Sequence, residues 1–316
     1  MKYAALTAAA GMLLLAGCGD VFSSGDTSDP APAPKTDAST PVDPATSDAE
    51  NEKPADAKTQ LAEILKSQPK AVRDRYKYRK PARTVEFFQI EPGMTVVEAL
   101  PGGGWYTKIL APYLGESGTL IGGQYPDDLW IKFGFGEEWA AQRVEQSSQW
   151  VATATEWGIE NGASFSSATL TAMPEDAAGT VDAVLFIRAL HNLSRFNDDD
   201  SYLDATIAES FRVLKPGGIV GVVQHAASED APDESTKGQR GYLKQSTVIA
   251  QFEAAGFVLE KASELHANPK DQPGADQIVW RLPPTLNGTE EGSPERAAFQ
   301  EIGESNRMTL RFRKPK

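Results

Sequence analysis

The run TVDAVLFIRAL, Thr180 to Leu190, is apolar at consecutive positions, so both of its faces need cover. A strand of that kind belongs inside a parallel sheet with helices on either side; a half-exposed strand alternates apolar with polar residues instead. The surrounding sequence supplies the helices. DSYLDATIAESFRVL reads as a helix that stops at KPGG, and the strand IVGVVQH begins at once. Upstream, MTVVEAL is a short β-branched strand followed by three glycines and the helix WYTKILAPYLG. GTLIGGQY is a second strand, and ASFSSATLTAMP contains a third of weaker periodicity. Downstream come the helix STVIAQFEAAGF, the strand VLEKASELH and a last strand RMTLRFRK. Two helices, LAEILKSQP and AVRDRYKYRKPARTVEFFQI, precede them, the second broken near Pro81. Strand and helix alternate throughout, which predicts an α/β fold with a mostly parallel, doubly wound sheet and no internal repeat.

Two stretches interrupt the alternation. Residues 126–162 carry Trp130, Trp139, Trp150 and Trp157 around the helix EEWAAQRVEQSSQWVATATEW. They read as aromatic core in preference to a lid. The segment IVWRLPPTLNGTEEGSPERAAF reads as a lid or a surface loop.

The N-terminus has a separate logic. Lys2 precedes an apolar stretch, Ala4 to Gly17, that is short for a bilayer span. It ends in Leu15-Ala16-Gly17-Cys18, which resembles the lipobox of bacterial lipoproteins. That resemblance implies a signal peptide over 1–17, cleavage before Cys18, and acylation of Cys18, the single cysteine of the chain. A lone cysteine excludes an intramolecular disulfide. The resemblance also places the protein in the cell envelope facing the periplasm. Gly19 after Cys18, where retained inner-membrane lipoproteins often carry aspartate, favours the outer membrane. Residues 18–57 form an acidic Ser/Pro/Ala-rich tether: from Gly19 to Asp56 nine carboxylates face only Lys35 and Lys53. So little apolar surface cannot offset the ordering entropy, and disorder is expected. The tether holds −7 of the chain's net −13, leaving residues 58–316 as one moderately acidic domain. Nucleic acid is not expected as a partner, since no basic stripe is visible.

The loop VVEALPGGGWYT admits two readings, a ligand cradle or a tight turn. A nicotinamide fingerprint starting at Gly102 requires glycine where Thr107 stands. No G-x-S-x-G marks a hydrolase nucleophile, and the three histidines are too scattered for a metal frame.

Taken together, EALPGGG after the first strand, VDAVLFIRALHNL, FRVLKPGGIVGVV and QFEAAGFVLEKASEL resemble the class I S-adenosylmethionine-dependent methyltransferases. More narrowly, YRKPARTVEFFQIEPGMTVVEALPGGGWYTKILAPYLG and IGESNRMTLRFRKP look like a group of bacterial predicted methyltransferases, often exported. The resemblance runs from about Arg73 to the C-terminus. It implies a Rossmann-like seven-stranded sheet with an antiparallel last strand, and S-adenosylmethionine as cofactor, with no metal. It implies cofactor contacts from Glu98, Pro101, Gly102, Gly103, Gly104, Gln124 and Tyr125. Glu98 would accept from the cofactor's ammonium, and the glycines would let backbone approach it. His191 is the first candidate for a base beside the acceptor, with Asn192 and His225 behind it. Arg188 reads as paired, with Glu98 or a ligand carboxylate, and His266 as structural. A small-molecule acceptor is expected.

This sequence departs from the family's pattern. Leu100 stands for the first loop glycine, and Gln124 for the acid that grips the ribose, with Asp127 or Asp128 as substitutes. The acid often found after the third strand is also missing from SSATLTAMP. Together with a compartment remote from cofactor synthesis, these departures define the alternative: a catalytically inactive methyltransferase-fold lipoprotein with a binding or structural role.

Overall fold

The computed structural model describes residues 57–316. The signal segment 1–17, Cys18 and the tether 18–57 therefore lie outside the described residues, except Ala57, which opens the first helix. Seven strands make one sheet: β1 Thr95–Ala99, β2 Thr119–Gln124, β3 Ser164–Thr169, β4 Val181–Ile187, β5 Leu214–His225, β6 Val258–Ser263 and β7 Arg307–Arg313. Their order is β3-β2-β1-β4-β5-β7-β6. The pairs from β3 to β5 are parallel, while β7 runs antiparallel to both β5 and β6. The antiparallel last strand is therefore present, inserted between its neighbours.

Strand β4 sits at the centre, as its apolar run requires. Its residues alternate between two cores: Val184 and Phe186 face one with Val97, Val222 and Phe312. Ala183 and Leu185 face the other with Val96, Phe88 and Ile109. The third strand pairs in register with β2 from Thr119–Ser164 to Gln124–Thr169. It is a half-exposed edge strand, which explains its serine content and weak periodicity.

Three local readings change. The helix expected over 137–157 is two helices, Glu137–Ser148 and Trp150–Glu156, broken at Gln149 (φ −88°, ψ 2°). The break turns Trp150 onto the sheet, where a Cβ added to Gly122 would lie 2.5 Å from its indole ring. Residues 71–90 fall into the short helices Lys70–Arg73, Tyr76–Arg79 and Pro81–Phe87. Lys80 is left-handed (φ 40°) before Pro81, consistent with the exclusion of pre-proline residues from helical geometry. Helices Leu190–Arg195 and Pro294–Ile302 were not legible, the first being one turn and a half long. Trp130 and Trp150 are buried, and Trp130, Trp139, Phe133 and Phe135 form one aromatic cluster in which Trp139 meets Trp130 and Phe133 edge to face. Trp130 and Trp150 are therefore core, while Trp139 and Trp157 are half-buried.

Trp150 fills a space that only a glycine on β2 leaves open. Trp150→Ala is expected to lower the unfolding free energy by about 3–5 kcal/mol, read as a lower denaturant midpoint at unchanged slope.

Candidate functional site

A cavity of about 360 Å³ opens at the carboxyl ends of β1, β4 and β5, where open α/β sheets place their ligands. Glu98, Arg188 and His225 reach it from the strand ends. Arg75 and Arg79 come from the N-terminal helices, and Trp280 and Pro284 from the segment over 279–285. The segment read as a lid or loop therefore builds a wall. It is anchored behind by Arg281, which bonds Asp271 at 2.6 Å and Tyr242 at 2.8 Å.

The loop after β1 follows from its backbone. Leu100 (φ 50°), Gly102 (φ 54°) and Gly104 (φ 76°) are all left-handed. At Leu100, the departure from the glycine pattern keeps the backbone that glycine normally supplies. A leucine there carries strain of roughly 1–3 kcal/mol, held by the 2.7 Å bond from its N–H to Gly123 O. The three glycines divide the work. Pro101 and Gly103 line the cavity, and Gly103 is exposed without a left-handed φ. Gly104 is buried, and a Cβ on it would lie 2.1 Å from the Trp157 indole. Its missing side chain makes room for Trp157, so close packing accounts for Gly104 without a ligand. Gly102 is exposed and turns the chain.

Glu98 is 4 % exposed. Its carboxyl accepts from Thr107 Oγ1 at 2.7 Å. Burial pushes its pKa up to about 8, against the lowering effect of Thr107. It is thus mainly protonated at neutral pH.

The histidines are separated by depth. His225 lines the cavity, with Nδ1 2.6 Å from Ser305 Oγ. Burial, His191, Arg307 and Arg188 hold its pKa well below the usual value. His191, the first candidate from sequence, lies behind it on helix Leu190–Arg195 and does not line the cavity. It is 3 % exposed, 3.4 Å from Gln224 Oε1, and burial lowers its pKa to about 4. Asn192 also stays out of the cavity. His266 bonds with Thr309 Oγ1 (2.8 Å) and Arg79 O (3.0 Å), a structural position.

Gln124 and Tyr125 are placed beside the loop but not on the cavity. Tyr125 is fully buried and donates to Ala189 O. Gln124 is 8 % exposed, and its Nε2 has no hydrogen-bond partner among the described residues. Asp128 is engaged by Tyr202 OH at 2.9 Å.

The residues that sequence reasoning missed are arginines. Glu304 accepts from Arg75 Nε (2.8 Å) and Nη2 (2.5 Å) through one oxygen, and from Arg307 (2.6 Å) through the other. Arg79, 4 % exposed, stacks on Trp105 at 4.4 Å. Burial opposes the Glu304 charge, yet Arg307, Arg75, Arg188 and Arg79 together hold its pKa at about 2. Only the density of Arg and Lys in DRYKYRK hinted at this cluster. Among the described residues, no group of three His, Cys, Asp or Glu stands together as a metal site.

Residues 130–222 match the family of methyltransferase domains. The match begins past the glycine loop and spans β3, β4 and most of β5. Among solved structures, the fold is similar to the 4+2 cyclase SpnF, with 18 % identity, TM-score 0.50, and 75 % of this chain and 81 % of that one covered. A S-adenosylmethionine-dependent methyltransferase from Aquifex aeolicus aligns at 18 % identity and TM-score 0.43, covering 65 % and 92 % of the two chains. A geranyl diphosphate methyltransferase in complex with S-adenosylmethionine aligns at 13 % identity and TM-score 0.46, covering 83 % and 93 %. At these identities the likeness is one of fold, and a cyclase on that fold means that fold alone does not name the reaction. No curated protein sequence matches the chain.

Two expectations follow from the loop and its neighbour. Gly104→Ala should destabilise the protein by roughly 1–3 kcal/mol through its left-handed φ and the Trp157 clash, whereas Gly103→Ala should change stability little. For Glu98, an acid with a raised folded-state pKa, the sign is fixed. Its effect on stability is nil below the usual carboxylate value, and stability falls as pH rises from about 4.5 to about 8. Glu98→Gln keeps an acceptor for Thr107 and should raise stability at pH 8 by on the order of a few kcal/mol. The gain should vanish at pH 4 in paired denaturant titrations.

Proposed function

We propose that this chain is a class I S-adenosylmethionine-dependent methyltransferase that transfers the cofactor's methyl group to a small-molecule acceptor, a reading supported by its sheet order and by the match of residues 130–222 to methyltransferase domains. The observation that carries this reading is Glu98. A carboxyl buried at the end of β1, facing the cavity with only Thr107 as a hydrogen-bond partner among the described residues, and with its pKa pushed up to about 8 by burial, weakens the fold at neutral pH. A cationic ligand group reverses that penalty, and the ammonium of the cofactor is such a group. Fit is further supported by Gln124 Nε2, a buried donor lacking a partner, and by Gly103, which offers bare backbone to the cavity.

Bound there, S-adenosylmethionine would supply an electrophilic methyl group. The residues of this chain would then orient and exclude water, since methyl displacement depends chiefly on alignment. Trp280 and Pro284 wall the cavity from one side, and Trp105 and Arg79 from the other. His225, fixed by Ser305, replaces His191 as the histidine able to face an acceptor. Its low basicity suits an acceptor that needs little help in losing a proton.

A second reading keeps the fold and discards catalysis. Tyr125, expected as a cofactor contact next to Gln124, is fully buried, and Trp157 occupies the open side of Gly104. The two readings separate by calorimetry on the full-length protein. Heat saturating on S-adenosylmethionine addition is expected, with proton release at pH 7 as Glu98 ionises. Gly103→Val should abolish that heat while the protein stays folded. Absence of binding at millimolar cofactor leaves the inactive-fold reading.

The membrane anchor is part of the same proposal: lipid on Cys18 would hold the domain at the envelope, facing the periplasm, with the outer membrane favoured. Cys18→Ser should move the protein from the membrane to the soluble fraction.

A further inference from the structure

The hydroxyl of Ser305 is held in place from both sides. On one side Glu304 is clasped by Arg75 and Arg307. On the other, Asn306 donates its N–H to Asp271 Oδ2 at 2.9 Å, and its side chain accepts from Asn268 N–H at 2.9 Å. The Asn306 carbonyl accepts from Ala226 N–H at 3.0 Å, and His225 pairs with Arg307 across β5 and β7. Backbone pairing thus sets Ser305 beside His225. Both residues line the cavity, at 3 % and 8 % exposure, and Oγ lies 2.6 Å from Nδ1.

A hydroxyl can donate or accept across such a contact, and the two choices have different consequences. If Nδ1 carried the ring hydrogen, the hydroxyl hydrogen would need another acceptor. Ser305 Oγ has no second hydrogen-bond partner among the described residues. The adjoining carboxylate, Glu304, has both oxygens engaged by Arg75 and Arg307. A buried donor left unpaired is costly, which favours donation to Nδ1. A general-base histidine has the opposite arrangement: a carboxylate holds Nδ1–H and leaves Nε2 bare. Here the ring neighbours of His225 are His191 at 5.6 Å and Tyr242 at 6.2 Å, and Nε2 makes no hydrogen bond among the described residues. Burial keeps the ring neutral, its pKa well below the usual value.

We infer that Ser305 donates to His225 Nδ1, fixing the imidazole as the Nε2–H tautomer, and that Nε2–H is a hydrogen-bond donor to a carbonyl or carboxylate oxygen of the ligand. On the methyltransferase reading above, on which the ligand's identity rests, that oxygen belongs to the methyl acceptor. Ser305 is then a positioning residue, and His225 recognises the acceptor instead of taking its proton. The site selects an acceptor that bears such an oxygen and needs no base.

The test is long-range proton–nitrogen correlation spectroscopy on the full-length protein, with nitrogen-labelled histidine at neutral pH. The three histidines are told apart by the ring that disappears in His225→Gln. The His225 ring is expected neutral, with Nε2–H in roughly tenfold or greater excess over the other tautomer. A hydrogen on Nδ1, in a neutral or a cationic ring, overturns the inference. Ser305→Ala removes the donor and should bring the two tautomers to comparable populations, while Ser305→Thr keeps the hydroxyl and should restore Nε2–H. An unchanged ring in Ser305→Ala overturns the role of Ser305; if a variant fails to fold, the unsubstituted protein still decides the tautomer. Acetate is the probe of donation: at saturation it should move the Nε2–H proton downfield, and a ring that does not respond overturns recognition by His225. Each readout is made without S-adenosylmethionine. Failure of cofactor binding therefore sinks the methyltransferase reading and leaves the tautomer and its donor standing.

Discussion

The carboxylate of Glu304 ties together the two ends of the described chain. It receives Arg75 from the helices before the sheet and Arg307 from the start of β7. Arg188 and Arg79 also act on it electrostatically, so one carboxylate serves four guanidinium groups. Breaking a buried pair of this kind leaves an uncompensated charge, and such losses run to about 3–5 kcal/mol. The cavity depends on the same clasp, since its N-terminal wall is carried by those helices and its far wall by residues around 279–305.

The charge inside that cavity is divided. At the β1 end, burial keeps Glu98 protonated; at the β4 end, guanidinium groups accumulate around one carboxylate. The buried Glu98 carboxyl does not serve stability, and neither does Arg79, whose buried Nε has no hydrogen-bond partner among the described residues. A glutamine at 98 or an apolar residue at 79 would be easier to bury, and both positions lie on the cavity. Residues that weaken a fold and converge on one concave site are a signature of binding chemistry. Leu100 and Arg188 add backbone strain at the same rim. The structural residues are elsewhere: His266 under Arg79, Arg281 with Asp271, and Gly104 beneath Trp157.

Legibility in the sequence followed the range of the interactions. The unbroken apolar run of β4 and the glycine loop are local signals that mark elements where the structure has them, and the helix before KPGG does end, at Val213, although KPGG itself joins β5. Edge strand β3 was faint because only part of it is buried. The break at Gln149 escaped because periodicity in 137–157 is continuous; tertiary packing of Trp150 on Gly122 imposes it. In the site, the glycine loop and Glu98 were visible as a contiguous motif. Of the arginines only Arg188 stood out, as a charge inside an apolar strand; Arg75, Arg79 and Arg307 did not, because they join it only after separate segments converge.

By itself, then, the sequence determined the architecture: a centrally buried parallel strand demands helices on both faces, and the alternating elements supply them. It also marked where a ligand loop would lie. Tertiary structure alone decided what that loop faces. It put His225 on the cavity and His191 behind it, gave Gly104 to Trp157, and brought Arg79 and Arg188 to one cavity. The physical reason is that hydrophobic periodicity is written residue by residue along the chain, whereas burial and charge at a site are sums over side chains distant in sequence.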